Sequence, residues 1–514
     1  MNLGEAFQRA VSRAPEAIAI VEGDRRQTFT EWHESIMRVA GGLSALGISA
    51  SDHVGAVMKN RWEMATLAWA SYMIGAVFTP ISWRGTADEI AYCLSNADAA
   101  VCVHDGSAGD AVVEACLLAE LPADRLIAAA DAGNGFATLL SSAPLAVPSG
   151  IADSETALML FTSGTTGRPK GVPRSHRAEW SATMSHIALN EYPLNLSQIC
   201  VMPLFHTMGI RTLEASALLG GTMVCLPDYS AQAVLDAVEK EKIGGIFLVP
   251  TMYHDILNQP DIDSRDVSSV IRSGFAGMTM APSLIERCCD TFGDNFLNFY
   301  GSSEIYTLSV SNRQREKPGC AGRPGLYQEM RIVTGDPDRR VLPDETVPAG
   351  DPGEIILQMN APDAFTGYWQ RPEANEKSIR QGWYYTGDLG RFDDDGDVWV
   401  LGRVDDMVIS GGENINPEDV EDTLLRSGLC AGAVVVGLPD ARLGQRVVAF
   451  VEPKDGASAK ALDDHCRNSA LANFKRPRGY GFVKAIPRTA SGKILRRKLR
   501  DGEYELHEDF ESTL

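Results

Sequence analysis

Through the first three hundred residues, short apolar β-rich runs alternate with helix-patterned stretches, and that alternation leaves few ways to fold. Residues 53–58, 100–103, 222–226, 245–249, 270–273 and Phe296–Tyr300 read as strands, with Val77–Pro80 extended. Residues 61–74, 86–95, 231–240 and 281–292 carry helical spacing in between. Strand, helix and strand in repeated succession bury their apolar faces as parallel sheets covered by helices. After about residue 351 the texture changes. Residues 354–358, 384–386, 390–392 and 398–401 read as short strands, and the run Asp393, Asp394, Asp395, Gly396, Asp397 as a hairpin turn, so an antiparallel module is expected there. From about 403 a small α+β segment follows. Its first helix opens with Asn416 as N-cap, Pro417 at the first position and two acids, Glu418 and Asp419, in the first turn. Strands at 432–437 and 447–452 and a helix at 459–466 complete it. The expected domains are 1–402 and 403–514.

Composition narrows the class of partner. The formal net charge of -21 over 514 residues argues against nucleic acid and against an anionic membrane surface. Ten cysteines form no CxxC pair and no zinc-spaced cluster, which fits reduced thiols. The longest apolar runs, such as 65–70 and 246–250, fall far short of the ~20 residues of a membrane span. The N-terminal residues lack a basic leader, so the cytoplasm is the expected location.

The strongest local signal runs from Leu158 to Gly171. An apolar strand enters a loop of Thr162, Ser163, Gly164, Thr165, Thr166, Gly167, Arg168, Pro169, Lys170 and Gly171, with four hydroxyls, three glycines and two cations. Glycines let backbone N–H groups turn towards an anion, and hydroxyls add donors. This is a phosphate-binding pattern, and no Gly-Lys-Ser/Thr closes it as a Walker A loop.

This loop resembles the signature of the adenylate-forming superfamily, and further motifs follow in that family's order. Tyr300, Gly301, Ser302, Ser303 and Glu304 resemble the adenine and magnesium loop. Tyr385, Thr386, Gly387 and Asp388 resemble the ribose motif, and Gly402, Arg403, Val404, Asp405 and Asp406 the hinge. Pro487 to Ile494, containing Ser491, Gly492 and Lys493, resembles the catalytic-lysine motif. The resemblance implies a large N-terminal domain of two helix-covered, mostly parallel sheets plus a small β-barrel-like module, and a mobile α+β C-terminal domain. It implies ATP, Mg²⁺ and coenzyme A as ligands. Lys493, Glu304, His206 and Thr162 would surround the reacting groups. Thr162 through Gly167, Lys170, Tyr300, Ser303, Asp388 and Arg403 would hold the nucleotide, with Glu304 on the metal. Asp405 would be the pivot about which the small domain withdraws Lys493 and presents Gly411 and Gly412 to the pantetheine arm.

Two steps are implied: a carboxylate attacks the α-phosphorus of ATP, then a thiol attacks the acyl-adenylate. Coenzyme A is the expected thiol, because no carrier-domain pattern follows Lys493; a separate carrier protein is the alternative. Around Leu471 to Arg478 the chain resembles the aryl-CoA ligases of the 4-chlorobenzoate type, which places Phe474 and Arg476 against the CoA nucleotide. Where that branch can carry a Trp, this chain has Leu443. Pro203 to Gly209 resembles the segment that gates the acid pocket, with His206 as the aromatic gate. By family position, Phe275, Ala276, Gly277, Gly301, Tyr306 and Thr307 line it. A mixed apolar and aromatic lining suits a benzoate-like, cinnamate-like or medium-chain acid. Arg211, after the gate, would read a second carboxylate if it faced the pocket. A monomer or homodimer is expected.

Overall fold

All 13 residues of the helix Trp62–Ile74 are buried. Its sequence has no polar face, and a helix apolar on every side must lie inside a protein. The helix Thr207–Leu219 is buried from Met208 to Leu219. Both contribute to one core that also takes Val54, Phe78 and Leu158 from one sheet and Ile20, Cys200 and Met223 from another. The computed structural model describes residues 1–514 except 131–132, 134, 147–149, 163–167, 337–338, 412 and 489–493, and the side chain at 414.

The larger sheet has nine strands in the order Arg323–Pro324, Ser309–Ser311, Phe296–Tyr300, Arg272–Ala276, Gly245–Leu248, Gln198–Cys200, Met223–Cys225, Ile18–Glu22 and Arg25–Thr28. From Phe296–Tyr300 to Ile18–Glu22 every pairing is parallel, and the strands beyond are antiparallel. The second sheet has six strands in the order Leu126–Ala128, Ala99–His104, His53–Val57, Val77–Pro80, Thr156–Thr162 and Lys170–Ser175, all parallel except the last pair. Helices Ala231–Glu241, Pro250–Leu257 and Pro282–Phe292 supply a second core with Ile199, Ile246 and Phe275. The expected α/β class with mostly parallel, helix-covered sheets is the class observed.

A third sheet of five strands is built around Trp383–Phe392, with Val398–Arg403 joined to it across the turn at 393–397. The chain divides into two compact units, Met1–Met330 with Leu357–Tyr384 and Gly396–Val398, and Arg331–Ile356 with Tyr385–Asp395 and Trp399–Leu514. In the second unit, Cys430–Asp440 and Gly444–Pro453 form a long antiparallel pair, and Gly479–Phe482 runs parallel to the latter. Helices Pro417–Arg426 and Ala459–Arg467 pack on this sheet through Val420, Leu424 and Leu462. Asn416 caps the first of these as expected, its side chain accepting from Glu418 N–H, with Pro417 in the first turn.

Two strands differ from the expectation. The strand placed at 270–273 is Arg272–Ala276, because its register is set by Gly245 opposite Arg272 and Phe296 opposite Ser273. Gly274 and Ala276 have little strand preference of their own, and pairing on both sides overrides it. The two strands expected at 384–386 and 390–392 are one, Trp383–Phe392. Gly387, at φ +71°, adopts a left-handed conformation within it and reads locally as a break. No described helix is long and apolar enough to cross a membrane.

Candidate active site

Parallel strands all end on the same edge of their sheet, so their loops converge there, and that edge is where α/β sheets bind ligands. Thr162 ends the strand Thr156–Thr162, Ala276 ends Arg272–Ala276, and Tyr300 ends Phe296–Tyr300. Cys200, shortly before His206, ends Gln198–Cys200. Chain order thus brings four of the sequence's chemical segments to strand ends within the first unit.

Thr162 pairs with Lys170 across the antiparallel edge, and its Oγ1 donates to the Lys170 carbonyl at 3.4 Å. The Lys170 ammonium lies 4.1 Å over the Tyr368 ring. Ser163, Gly164, Thr165, Thr166 and Gly167 lie outside the described residues, as do Gly412 and Lys493.

The segment after Tyr300 is tightly turned. Ser302 N–H donates to the Ile305 carbonyl at 3.2 Å, and Ile305 N–H returns to Ser302 Oγ at 3.2 Å. A Cβ on Gly301 would stand 1.8 Å from the Tyr306 carbonyl, so the room at this glycine is taken by the turn itself. Ser303 is half-buried beside Glu304. Glu304 is buried. Its carbonyl accepts from Arg174 Nη1 at 2.9 Å and from Phe365 N–H at 2.9 Å, and its Oε1 accepts from the Tyr368 hydroxyl at 2.6 Å. No hydrogen bond among the described residues engages Oε2. A held carboxylate with one oxygen left over fits Mg²⁺, which takes one or two protein carboxylates and completes its shell with phosphate and water.

Under this loop lies a cluster of charges that the sequence reading missed. Arg174 is fully buried; its Nε donates to Glu179 at 2.6 Å and its Nη1 also to the Asp363 carbonyl at 2.6 Å. Arg211 bonds Glu179, Thr183 and, at 2.8 Å, Glu214. Both guanidinium groups lie over the Tyr306 ring, at 4.1 and 4.4 Å from its centroid. Burial is the largest single influence on Arg174 and works against its charge, but Glu179, Tyr306 and Asp363 together outweigh it and raise its pKa. Burial likewise raises Glu214, against the pull of Arg211. The reading of Arg211 as a receptor for a second substrate carboxylate is therefore corrected, since two internal carboxylates already hold it. Its sequence signal was available: a charge inside a helix with no polar face has to find a partner.

His206 occupies the N-cap position of the helix Thr207–Leu219 without a side-chain cap bond, and its ring packs tilted at 52° against Phe205 with centroids 4.7 Å apart. Burial, aided by the Arg84 charge, lowers its pKa to about 4, so the ring is neutral near pH 7. Ala276 belongs to an apolar cluster with Met202, Met208, Phe247, Leu297 and Phe299. Phe275, its neighbour, faces the opposite side of the strand, where it is fully buried and stacks on Phe296 at 5.3 Å. Gly277 has φ +87° and opens the loop beyond, and Thr307 is buried.

In the second unit Arg403 Nη1 donates to Asp388 Oδ1 at 2.5 Å and to the Thr386 carbonyl at 3.0 Å, so ribose and hinge motifs meet. Asp405 sits in a single 3-10 turn, Val404–Asp406, and its carbonyl accepts from Arg500 at 3.2 Å. Gly411, at φ +63°, donates its N–H to the Leu443 carbonyl at 2.9 Å. Phe474 is 45 % exposed, whereas Arg476 is buried on Asp463.

Comparison with known proteins places these features in context. The family profile described as AMP-binding enzyme matches residues 7–369, and that of the AMP-binding enzyme C-terminal domain matches 419–493. A feruloyl-CoA synthase from Amycolatopsis sp is 32% identical over 510 residues, covering 97% of this chain and 98% of the relative. A 4-chlorobenzoate–CoA ligase from Arthrobacter sp is 31% identical, covering 95% of this chain and 93% of the relative. Among solved structures, o-succinylbenzoate CoA synthetase from Bacillus subtilis, in complex with its acyl-adenylate intermediate, aligns with a TM-score of 0.86 at 27% identity, over 96% of this chain and 98% of that one.

Proposed function

The chain belongs to the AMP-binding enzyme family as an AMP-forming acid–CoA ligase, and from that premise we propose that its acid is aromatic, benzoate- or cinnamate-like. The observation that carries this reading is the buried apolar cluster of Met202, Met208, Phe247, Ala276, Leu297 and Phe299, of which Met202 and Met208 bracket in sequence a His206 that burial keeps neutral. A site backed by two phenylalanines and two polarizable thioethers suits an aromatic body. The names of the relatives, feruloyl and 4-chlorobenzoate, lean the same way.

In the proposed first step the acid's carboxylate attacks the α-phosphorus of ATP and pyrophosphate leaves. The run Thr162 to Gly167 with Lys170 holds the phosphates, and Lys493 bridges carboxylate and α-phosphate, offsetting the charge that accumulates between them. Glu304, with Tyr368 holding one oxygen, is the residue for Mg²⁺, which would neutralise phosphate charge. Tyr300 and Ser303 flank the adenine and the acyl phosphate, and Asp388, oriented by Arg403, receives the ribose hydroxyls. Phe275 backs the acid site from the core, while Ala276, Gly277, Gly301, Tyr306 and Thr307 stand nearer the acid. In the second step the small domain, 403–514, turns about Asp405. Gly411 and Gly412 admit the pantetheine arm, Phe474 meets the CoA nucleotide while Arg476 is already engaged by Asp463, the thiol attacks the acyl carbonyl and AMP leaves.

The test is AMP release dependent on ATP and CoA, across benzoates, cinnamates and straight-chain acids. Turnover with aromatic acids at least tenfold above straight-chain acids is the expected outcome. Preference for straight-chain acids overturns the aromatic assignment, and adenylate formation with no CoA dependence points to a carrier protein instead.

A further inference from the structure

Asn60 lies in the connection between the strand His53–Val57 and the helix Trp62–Ile74, 5% exposed, and its carboxamide reaches across to the other sheet. Nδ2 donates to the carbonyls of Cys200 at 3.2 Å and Met202 at 2.8 Å. Oδ1 accepts from Leu204 N–H at 2.9 Å. Both donor hydrogens and the acceptor of one amide are thus used on one stretch of backbone. That stretch leaves the strand Gln198–Cys200 and runs directly into Phe205 and His206.

Its pairing partner is held from both flanks. Lys59 N–H and Arg61 Nε donate to Asp105 Oδ2 at 3.1 and 3.0 Å, and Trp62 N–H donates to Glu22 at 2.6 Å. The turn bearing Asn60 is therefore a fixed point. Downstream, His206 N–H donates to the Pro203 carbonyl at 2.9 Å, and the His206 carbonyl accepts from Ile210 N–H at 3.1 Å. Gly209 packs so closely that a Cβ there would lie 2.2 Å from the Pro203 oxygen and 2.6 Å from the Met202 oxygen. Residues 200–209 accordingly form one rigid piece, tied at its start to Asn60.

We propose that Asn60 is a positioning residue for acid activation: it sets the place of His206 through the 200–204 backbone, acting on the gate and not on the acid itself. The inference rests on His206 being the gate. No other side chain of similar size does this work. Asp would turn an oxygen towards the Cys200 and Met202 carbonyls, and Leu would leave the buried Met202 carbonyl and Leu204 N–H without partners, the Cys200 carbonyl keeping only Leu226 N–H at 3.1 Å.

The experiment is a double-mutant cycle of Asn60→Asp and His206→Ala, with separate KM values for acid and for ATP. Asn60→Asp is expected to raise the acid KM about tenfold, with the ATP KM within twofold of the unsubstituted enzyme. In the His206→Ala background the same substitution is expected to change the acid KM less than twofold. Asn60→Ser, which keeps one donor, runs in parallel and gives a smaller shift of the same kind, so a poorly folding Asn60→Asp does not end the test. Equal rises in both KM values, or the same fold-change with and without His206, overturn the proposal. His206→Ala alone tests the gate: if its acid KM and acid preference match those of the unsubstituted enzyme, the reading beneath the proposal falls instead.

Discussion

Tyr306 lies under two guanidinium groups while its own hydroxyl, buried, has no hydrogen-bond partner among the described residues. Ring and hydroxyl therefore have opposite effects, and two substitutions separate them. Tyr306→Phe keeps the cation–π surface and removes an unsatisfied polar group, so the change in stability by urea denaturation should lie between zero and a gain of about 1 kcal/mol. Arg174→Met removes one partner of a buried pair and leaves Glu179 with one cation fewer, so a loss of about 3–5 kcal/mol is expected by the same measurement. Lys493→Ala tests the proposed chemistry. It should lower adenylate formation by a factor of about 100 or more, as loss of a single preorganised charge contact does, while thioester formation from preformed acyl-adenylate falls far less. Rapid-quench measurement of each half-reaction checks this, and equal losses would sink the assignment of Lys493 to the first step. Lys493, Glu304 and Asp388 were all legible as motif residues. Arg174 and Glu179 were not, because a charge in a strand or in a helix with polar neighbours looks solvated until the tertiary structure shows what covers it.

The helix Pro417–Arg426 carries a buried acidic edge on its first turns. Burial, reinforced by Glu421 and only partly relieved by Arg496, raises Glu418 from 4.5 to about 8. Asp419 and Asp422 push the same way. Between these two pH values the folded chain binds a proton that the unfolded chain has released, so stability falls as pH rises through that window. The slope from this one group is at most about 1.4 kcal/mol per pH unit. Glu418→Gln should flatten it, as read by denaturant unfolding of the full chain at several pH values between 5 and 8; an unchanged slope would assign it elsewhere. The helix itself was readable from Asn416 and Pro417, since caps are local. Its acidic charge looked like ordinary first-turn stabilisation, and the packing partner Arg496, on a separate helix Arg496–Arg500, could not be inferred from spacing.

At the scale of the whole molecule the proposed cycle needs two arrangements of the small domain, with Asp405 as the proposed pivot. Asp405 lies in a single short turn, and Asn416 Nδ2 donates to the Leu401 carbonyl at 2.6 Å, a bond that the proposed rotation at Asp405 would have to exchange. Gly412 belongs to the second arrangement in the proposed scheme. Gly412→Val should therefore slow thioester formation tenfold or more while adenylation stays within about twofold, the reverse of Lys493→Ala, and normal CoA turnover in this variant would exclude the pantetheine route past Gly411 and Gly412.

By itself the sequence determined the α/β class and the order of the chemical motifs, because alternation, caps and glycine-rich loops are short-range features that the local chain has to satisfy; the reaction type followed from the family resemblance those motifs carry. Tertiary structure alone decided the rest. It set the register of Arg272–Ala276, joined the two expected strands into Trp383–Phe392, turned Phe275 and Ala276 into two different apolar clusters, and enclosed Arg211 between Glu179 and Glu214. It also let Asn60 reach Met202, 142 positions along the chain. Each of these depends on contacts between segments far apart in sequence, where the energy belongs to the pair and neither partner shows it alone.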